Sequence, residues 1–129
     1  MFEPISPETE RLATSVLDAA FVVHRALGPG LVEPVYEACL KHELSKRGVP
    51  FRSQVIFPVT YDGVVLDAGL RLDLLVGEYV IVEFKAVEKH NPLFEAQLLT
   101  YMKLTGHRLG LLLNFNVPLL KNGIKRLVR

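Results

Sequence analysis

Apolar residues recur along residues 7–27 at the three- and four-residue steps of a helix. Leu12, Val16, Ala20, Val23 and Leu27 form one stripe, flanked by Leu17, Phe21 and His24. Ser6 suits the N-cap, Pro7 the first helical position, and Glu8 and Glu10 the first turn; Gly28-Pro29-Gly30 ends the run. A second helix is expected over 32–47, with Val35, Tyr36, Cys39, Leu40 and Leu44 inward and Gly48 as its stop. The period then changes to two. Val55, Phe57, Val59 and Tyr61 alternate up to Asp62-Gly63, a hairpin signal, and the chain returns from Val64, with a bulge or bend expected at Asp67-Ala68-Gly69. A strand over 79–86 follows, then a helix from Asn91-Pro92 to Gly106. The apolar run Leu109–Asn114 reads as a strand covered on both faces, and Ile124–Val128 as a last short strand. A helix joining two neighbouring strands of one sheet implies a crossover, so the sheet is expected to be mixed and covered by helices.

The stretch Arg71–Lys85 departs from that pattern in an informative way. It reads as two apolar strands carrying a lone Asp73 on the first and Glu83-Phe84-Lys85 on the second. A three-residue loop at Gly77-Glu78-Tyr79 sets Val76 opposite Val80, Leu74 opposite Val82 and Leu72 opposite Phe84, an apolar face. The other face then pairs Leu75 with Ile81, Asp73 with Glu83 and Arg71 with Lys85. Charged groups inside apolar strands are costly unless partnered, and opposed Cβ atoms lie roughly 4.5–5.5 Å apart, close enough for two carboxylates to share one divalent cation. A cross-strand salt-bridge cluster on a solvated face is the plainer alternative.

Composition narrows the class. A chain of 129 residues is one domain by size, and 50% hydrophobic with 22% charged residues suits a globular fold with a core. A net charge of +1 gives no polybasic signature, although a local basic rim (Lys41, Lys46, Arg47 and Arg52, then Lys121, Lys125, Arg126 and Arg129) would suffice for phosphate contacts. Cys39 is the only cysteine, which excludes an internal disulfide and a cysteine-rich zinc site. No apolar run reaches the roughly 18 residues of a membrane span, and no secretory pattern opens the chain, so a cytoplasmic setting is the expectation.

Asp73 followed by Glu83-Phe84-Lys85 resembles the PD-(D/E)xK nuclease motif, with Leu72 in place of the proline. Gln97-Leu-Leu-Thr-Tyr101 resembles the Q-x-x-x-Y element of the RecB-type branch, and Gly30-Leu-Val-Glu33-Pro-Val-Tyr36 the G-x-x-E-x-x-Y element of a family of small proteins in that superfamily. His24–Gly30 and Asn114–Pro118 are also similar to that family, so the resemblance spans nearly the whole chain. It implies one nuclease-like domain over residues 1–129, with an α/β, restriction-endonuclease-like three-layer fold in which helices flank a mixed sheet. It implies a Mg²⁺ or Mn²⁺ site held by Asp73, Glu83, the Phe84 carbonyl and Glu33, with Lys85 and Gln97 joining the catalytic set. Tyr101, Tyr36 and His24 are then candidate substrate contacts. From spacing alone, Glu33 reads as a helix-dipole acid, Tyr36 as a core aromatic, Gln97 and Tyr101 as the polar edge of an amphipathic helix, and His24 as a satisfied, semi-buried histidine.

The expected function is metal-dependent hydrolysis of phosphodiester bonds in nucleic acid, DNA ahead of RNA, with no membrane partner. The rival is a non-catalytic nuclease-like binding module, a homo-oligomer or a subunit of a nucleic-acid-processing complex. The small size and near-neutral charge favour the rival; the complete set of carboxylates and lysine favours the enzyme.

Overall fold

The structure, a computed structural model, describes residues 3–129 apart from the Ala68 side chain. Two helices come first, α1 (Pro7–Leu27) and α2 (Glu33–Lys46). Three strands follow, β1 (Phe51–Tyr61), β2 (Val64–Val76) and β3 (Val80–Lys85). Then come α3 (Pro92–Thr105), β4 (Leu109–Asn114), a 3₁₀ turn (Leu120–Gly123) and β5 (Ile124–Val128). The sheet has five strands in the order β1-β2-β3-β4-β5, with only the β3–β4 pair parallel, because α3 carries the chain back across the sheet between them. No described helix is long and apolar enough to cross a membrane.

Two apolar layers hold the sheet. On one face α1 and α2 press Val16, Ala20, Val23, Tyr36, Leu40 and Leu44 onto Leu74, Val82, Phe84 and Leu111. On the other, Leu98 and Met102 of α3 cover Leu75, Ile81 and Leu112. The sheet is thus sandwiched between helices, the three-layer α/β arrangement of a restriction-endonuclease-like fold. The caps behave as expected: Ser6 Oγ accepts from the Thr9 amide at 3.1 Å, and Asn91 Oδ1 from the Leu93 amide at 2.9 Å.

Some expectations are corrected. The inner stripe of α1 runs through Ala13, Val16, Ala20 and Val23, leaving Leu27 and Phe21 exposed. Val35 of α2 faces outward rather than in. β1 begins at Phe51 rather than Val55. The bulge, by contrast, falls where it is expected, on β2 at Asp67-Ala68-Gly69: two residues intervene between Leu66 and Gly69 while Val59 and Pro58 stay adjacent on β1.

The β2–β3 hairpin adopts the expected register, pairing Val76 with Val80, Leu75 with Ile81 and Leu74 with Val82. The ladder ends there. Leu72 does not join the face of Leu74 and Phe84; it packs with Leu75 and Ile81 beneath α3. Strict alternation would forbid residues 72 and 75 on one face, so the side-chain parity of β2 breaks between Leu72 and Leu74. The break has a counterpart on β1. Gln54 has a left-handed backbone (φ 51°), and β1–β2 pairing runs Ser53↔Leu74 then Val55↔Leu72 with no Gln54–Asp73 pair.

Candidate metal and nuclease site

Asp73 sits at the parity break, where β2 and β3 leave their ladder, and both of its neighbours in space are groups the sequence singles out. Its N–H donates to Glu83 Oε1 at 3.2 Å, and its own Oδ2 accepts from the Phe84 N–H at 2.9 Å. Side-chain carboxylates therefore replace backbone carbonyls at the point where the ladder opens. Asp73 and Glu83 are both buried (9% and 8% exposed). Burial and the neighbouring Asp73 charge push the Glu83 carboxyl up to about 9. Burial beside the Asp73 charge thus favours the protonated form of Glu83, and a cation placed between the two groups would favour the charged one.

The other candidates surround this pair on two layers. Glu33 opens α2, and burial followed by the Asp73 charge raises its pKa, with Lys85 pulling the other way. Its charge thus feels both ends of the motif. Glu33 lines an open cavity of about 480 Å³ together with Gly30, Ala86, Glu88 and Asn116. On the α3 side the Lys85 ammonium lies 4.4 Å from the centre of the Phe94 ring, a cation–π contact. Lys85, Phe94, Glu88, Asn122 and Lys125 line a second cavity of about 240 Å³. Gln97 donates to the Tyr101 hydroxyl at 2.9 Å on the exposed flank of α3. Phe94, Gln97 and Tyr101 follow three- and four-residue steps, so the edge bearing this pair begins beside Lys85. Neither Gln97 nor Tyr101 lines the cavity of Glu33 or that of Lys85.

Tyr36 and His24, expected as substrate contacts, are built into the frame instead. Tyr36 is fully buried, stacks on Phe115 at 4.7 Å, donates its hydroxyl to the Gly28 carbonyl at 2.6 Å and accepts from the Leu31 amide at 3.1 Å. His24 Nε2 is 2.8 Å from the Val117 carbonyl, which can only accept, so that nitrogen carries a proton. Between them they fasten the loops 28–31 and 114–118 that flank Glu33. Asn114 completes the frame, with Oδ1 accepting from the Val87 and Asn116 amides and Nδ2 donating to the Val87 carbonyl. Tyr36→Phe should cost about 1–3 kcal/mol of stability, read from denaturant unfolding, because it strips two loop backbone groups of their partner.

Two groups escape the sequence reading. Glu37 is one turn beyond Glu33, and its pKa is raised by burial and then by Asp73. The i,i+4 spacing to Glu33 was the available signal. Its carboxylate accepts the Gln54 side-chain amide at 3.0 and 3.2 Å, and nothing local in the sequence marks Gln54.

Among the described residues no three His, Cys, Asp or Glu side chains are drawn together tightly enough to enclose a cation. The donor chemistry nevertheless fits a hard divalent ion. Two carboxylates abut, each using one oxygen on a backbone N–H, and a third lies near enough for Asp73 to raise its pKa.

Comparison with known proteins agrees with the geometry. The family model described as the PD-(D/E)XK nuclease superfamily matches residues 10–127. No curated protein matches the chain. Among solved structures, the crystal structure of SSO0001 is similar with a TM-score of 0.50 and 17% identity over 93% of this chain. The present chain spans 60% of the length of that one, and the likeness is one of fold.

Proposed function

The chain belongs to the PD-(D/E)XK nuclease superfamily, and we propose that it is a Mg²⁺- or Mn²⁺-dependent nuclease of the small G-x-x-E-x-x-Y type, acting on DNA ahead of RNA. The observation that carries this reading is the opening of the β2–β3 ladder at Asp73, with the Glu83 carboxyl turned onto the Asp73 N–H and Lys85 two residues on. Nothing in a salt-bridge cluster on a solvated face would call for burying both acids.

Asp73 and Glu83, with Glu33 and the Phe84 carbonyl, would hold the cation. A bound Mg²⁺ or Mn²⁺ supplies Lewis-acid neutralisation of charge on the phosphoryl oxygens. Lys85, the one cation of the motif, holds the attacking water through its ammonium. As the water oxygen bonds to phosphorus, the phosphodiester P–O bond breaks and the leaving oxygen takes up a proton. The cavity shared by Lys85 and Lys125 would take the substrate backbone beside the scissile phosphate. Gln97 and Tyr101 would flank the strand from the edge of α3.

Calorimetric titration of Mn²⁺ and Mg²⁺ into the protein, alongside a panel of labelled single- and double-stranded DNA and RNA, tests this reading. Saturable cation binding with cleavage of at least one nucleic acid is the expected result. Binding of cation or nucleic acid without cleavage across the panel would instead establish the non-catalytic module.

A further inference from the structure

Gln54, Asp62 and Glu78 are the described non-glycine residues with positive φ. Asp62 and Glu78 lie in the two hairpin loops, where a turn asks for that conformation. Gln54 (φ 51°) lies inside β1. Glutamine is not among the residues that enter the left-handed region readily, and the conformation costs on the order of 1–2 kcal/mol. Its side chain is exposed, so burial of the glutamine does not offset that cost. A strained residue that persists away from any turn is held by its surroundings, and its consequence is the place to look for its use.

The consequence falls on Asp73. Where Gln54 is left-handed, β1 and β2 skip a pair between Ser53↔Leu74 and Val55↔Leu72. Both strands change face across the skip. Phe51 packs under α1 and α2 while Val55 packs under α3, and Leu74 and Leu72 divide in the same way. Asp73 is the residue at the switch on β2. It belongs to neither apolar layer, and its N–H is turned toward Glu83 rather than toward β1. From above, the Glu37 carboxylate grips the Gln54 amide. Glu37 projects from the helix that also carries Glu33, so α2 and the strained strand are tied at the position opposite Asp73.

We propose that Gln54 and Glu37 are a positioning pair for Asp73: Glu37 latches the Gln54 amide, and the left-handed Gln54 backbone keeps Asp73 turned into the slot it shares with Glu83. The inference rests on the reading of Asp73 as a cation-holding carboxylate, and extends it to two residues that touch neither cation nor substrate.

Three variants separate backbone from side chain. Gln54→Gly keeps the left-handed conformation without strain, Gln54→Val drives the position toward regular strand, and Glu37→Ala removes the latch. The readouts are Mn²⁺ affinity by calorimetry and amide hydrogen exchange at Phe84 and Asp73, whose N–H groups are bonded to the paired carboxylates. Gln54→Gly should hold Mn²⁺ within about threefold of the parent and keep both amides protected. Gln54→Val should weaken Mn²⁺ at least about tenfold and lose protection at Phe84 and Asp73 while the α3-side core stays protected; Glu37→Ala should fall between. Parental affinity and protection in Gln54→Val would overturn the proposal, as would equal losses in Gln54→Gly and Gln54→Val, which would assign the effect to the amide alone. If Gln54→Val does not fold, parental behaviour in Glu37→Ala overturns the latch. Should the parent protein bind no Mn²⁺, the metal-site reading fails by itself, and the exchange pattern still decides whether Gln54 positions Asp73.

Discussion

Lys85→Ala should lower kcat for nucleic-acid cleavage at least about a hundredfold, while Mn²⁺ affinity and nucleic-acid binding stay near those of the parent protein. The structure sharpens why the two outcomes should separate. Lys85 is only half-buried, and its ammonium rests on the Phe94 ring rather than in a hydrogen-bonded ion pair with Asp73 or Glu83. A cation–π contact at such a site is worth about 0.5–1 kcal/mol, so truncation should disturb the fold little. A lysine whose task was to balance the two acids would behave differently. Its loss would leave buried charge uncompensated and lower the unfolding midpoint by several degrees. Single-turnover cleavage with Mn²⁺, run beside a thermal melt, reads both quantities. A stable variant that still cleaves at the parental rate would remove Lys85 from the chemistry.

The elements and the hairpin register were legible because each had a local cause. A three-residue loop fixed the pairing of Val76 with Val80, and caps at Ser6 and Asn91 marked helix starts. The parity break was not legible, for a physical reason. With helices on both faces of the sheet, Leu72 and Leu74 are apolar whichever way they point, so the hydrophobic pattern carries no record of a change of face. Gln54 adds no warning, since glutamine has no propensity for the left-handed backbone it adopts. Tyr36 and His24 show the same limit from the other side. Their positions in the motif were evident, but spacing cannot tell a polar tip aimed at a ligand from one bonded to the loop that carries the ligand's neighbours. Glu37 could have been found, as the acid one turn beyond Glu33.

Glu83→Gln should have the largest effect on cation binding and on the pH profile together. The sign of the pH dependence follows from burial and Asp73 raising the folded pKa of Glu83 from about 4.5 to about 9. Between those values the folded chain binds the proton more tightly than the unfolded chain does. Stability is therefore fully present below the unfolded pKa and is lost as pH rises toward the folded one. The metal-free parent protein should lose stability steadily from about pH 5 to pH 9, by an amount on the order of a few kcal/mol, because each tenfold difference in proton affinity between folded and unfolded chain is worth about 1.4 kcal/mol. Glutamine keeps the shape and can still accept from the Asp73 N–H, but carries no charge to neutralise. The variant should show a shallower profile across this window, with only the raised pKa values of Glu33 and Glu37 left to slope it, and exceed the parent in stability at pH 9. Divalent cation reverses the ranking. Saturating Mn²⁺ should raise the parent's unfolding midpoint most at alkaline pH, where both carboxylates are free to ligate, and should leave the variant's midpoint unmoved because one of its two abutting charges is gone. Thermal melts across pH, with and without Mn²⁺, measure all of this in one series. An equally shallow profile in the parent would mean that burial beside Asp73 does not raise the Glu83 carboxyl. An equal Mn²⁺ response in both proteins would take Glu83 out of the cation site.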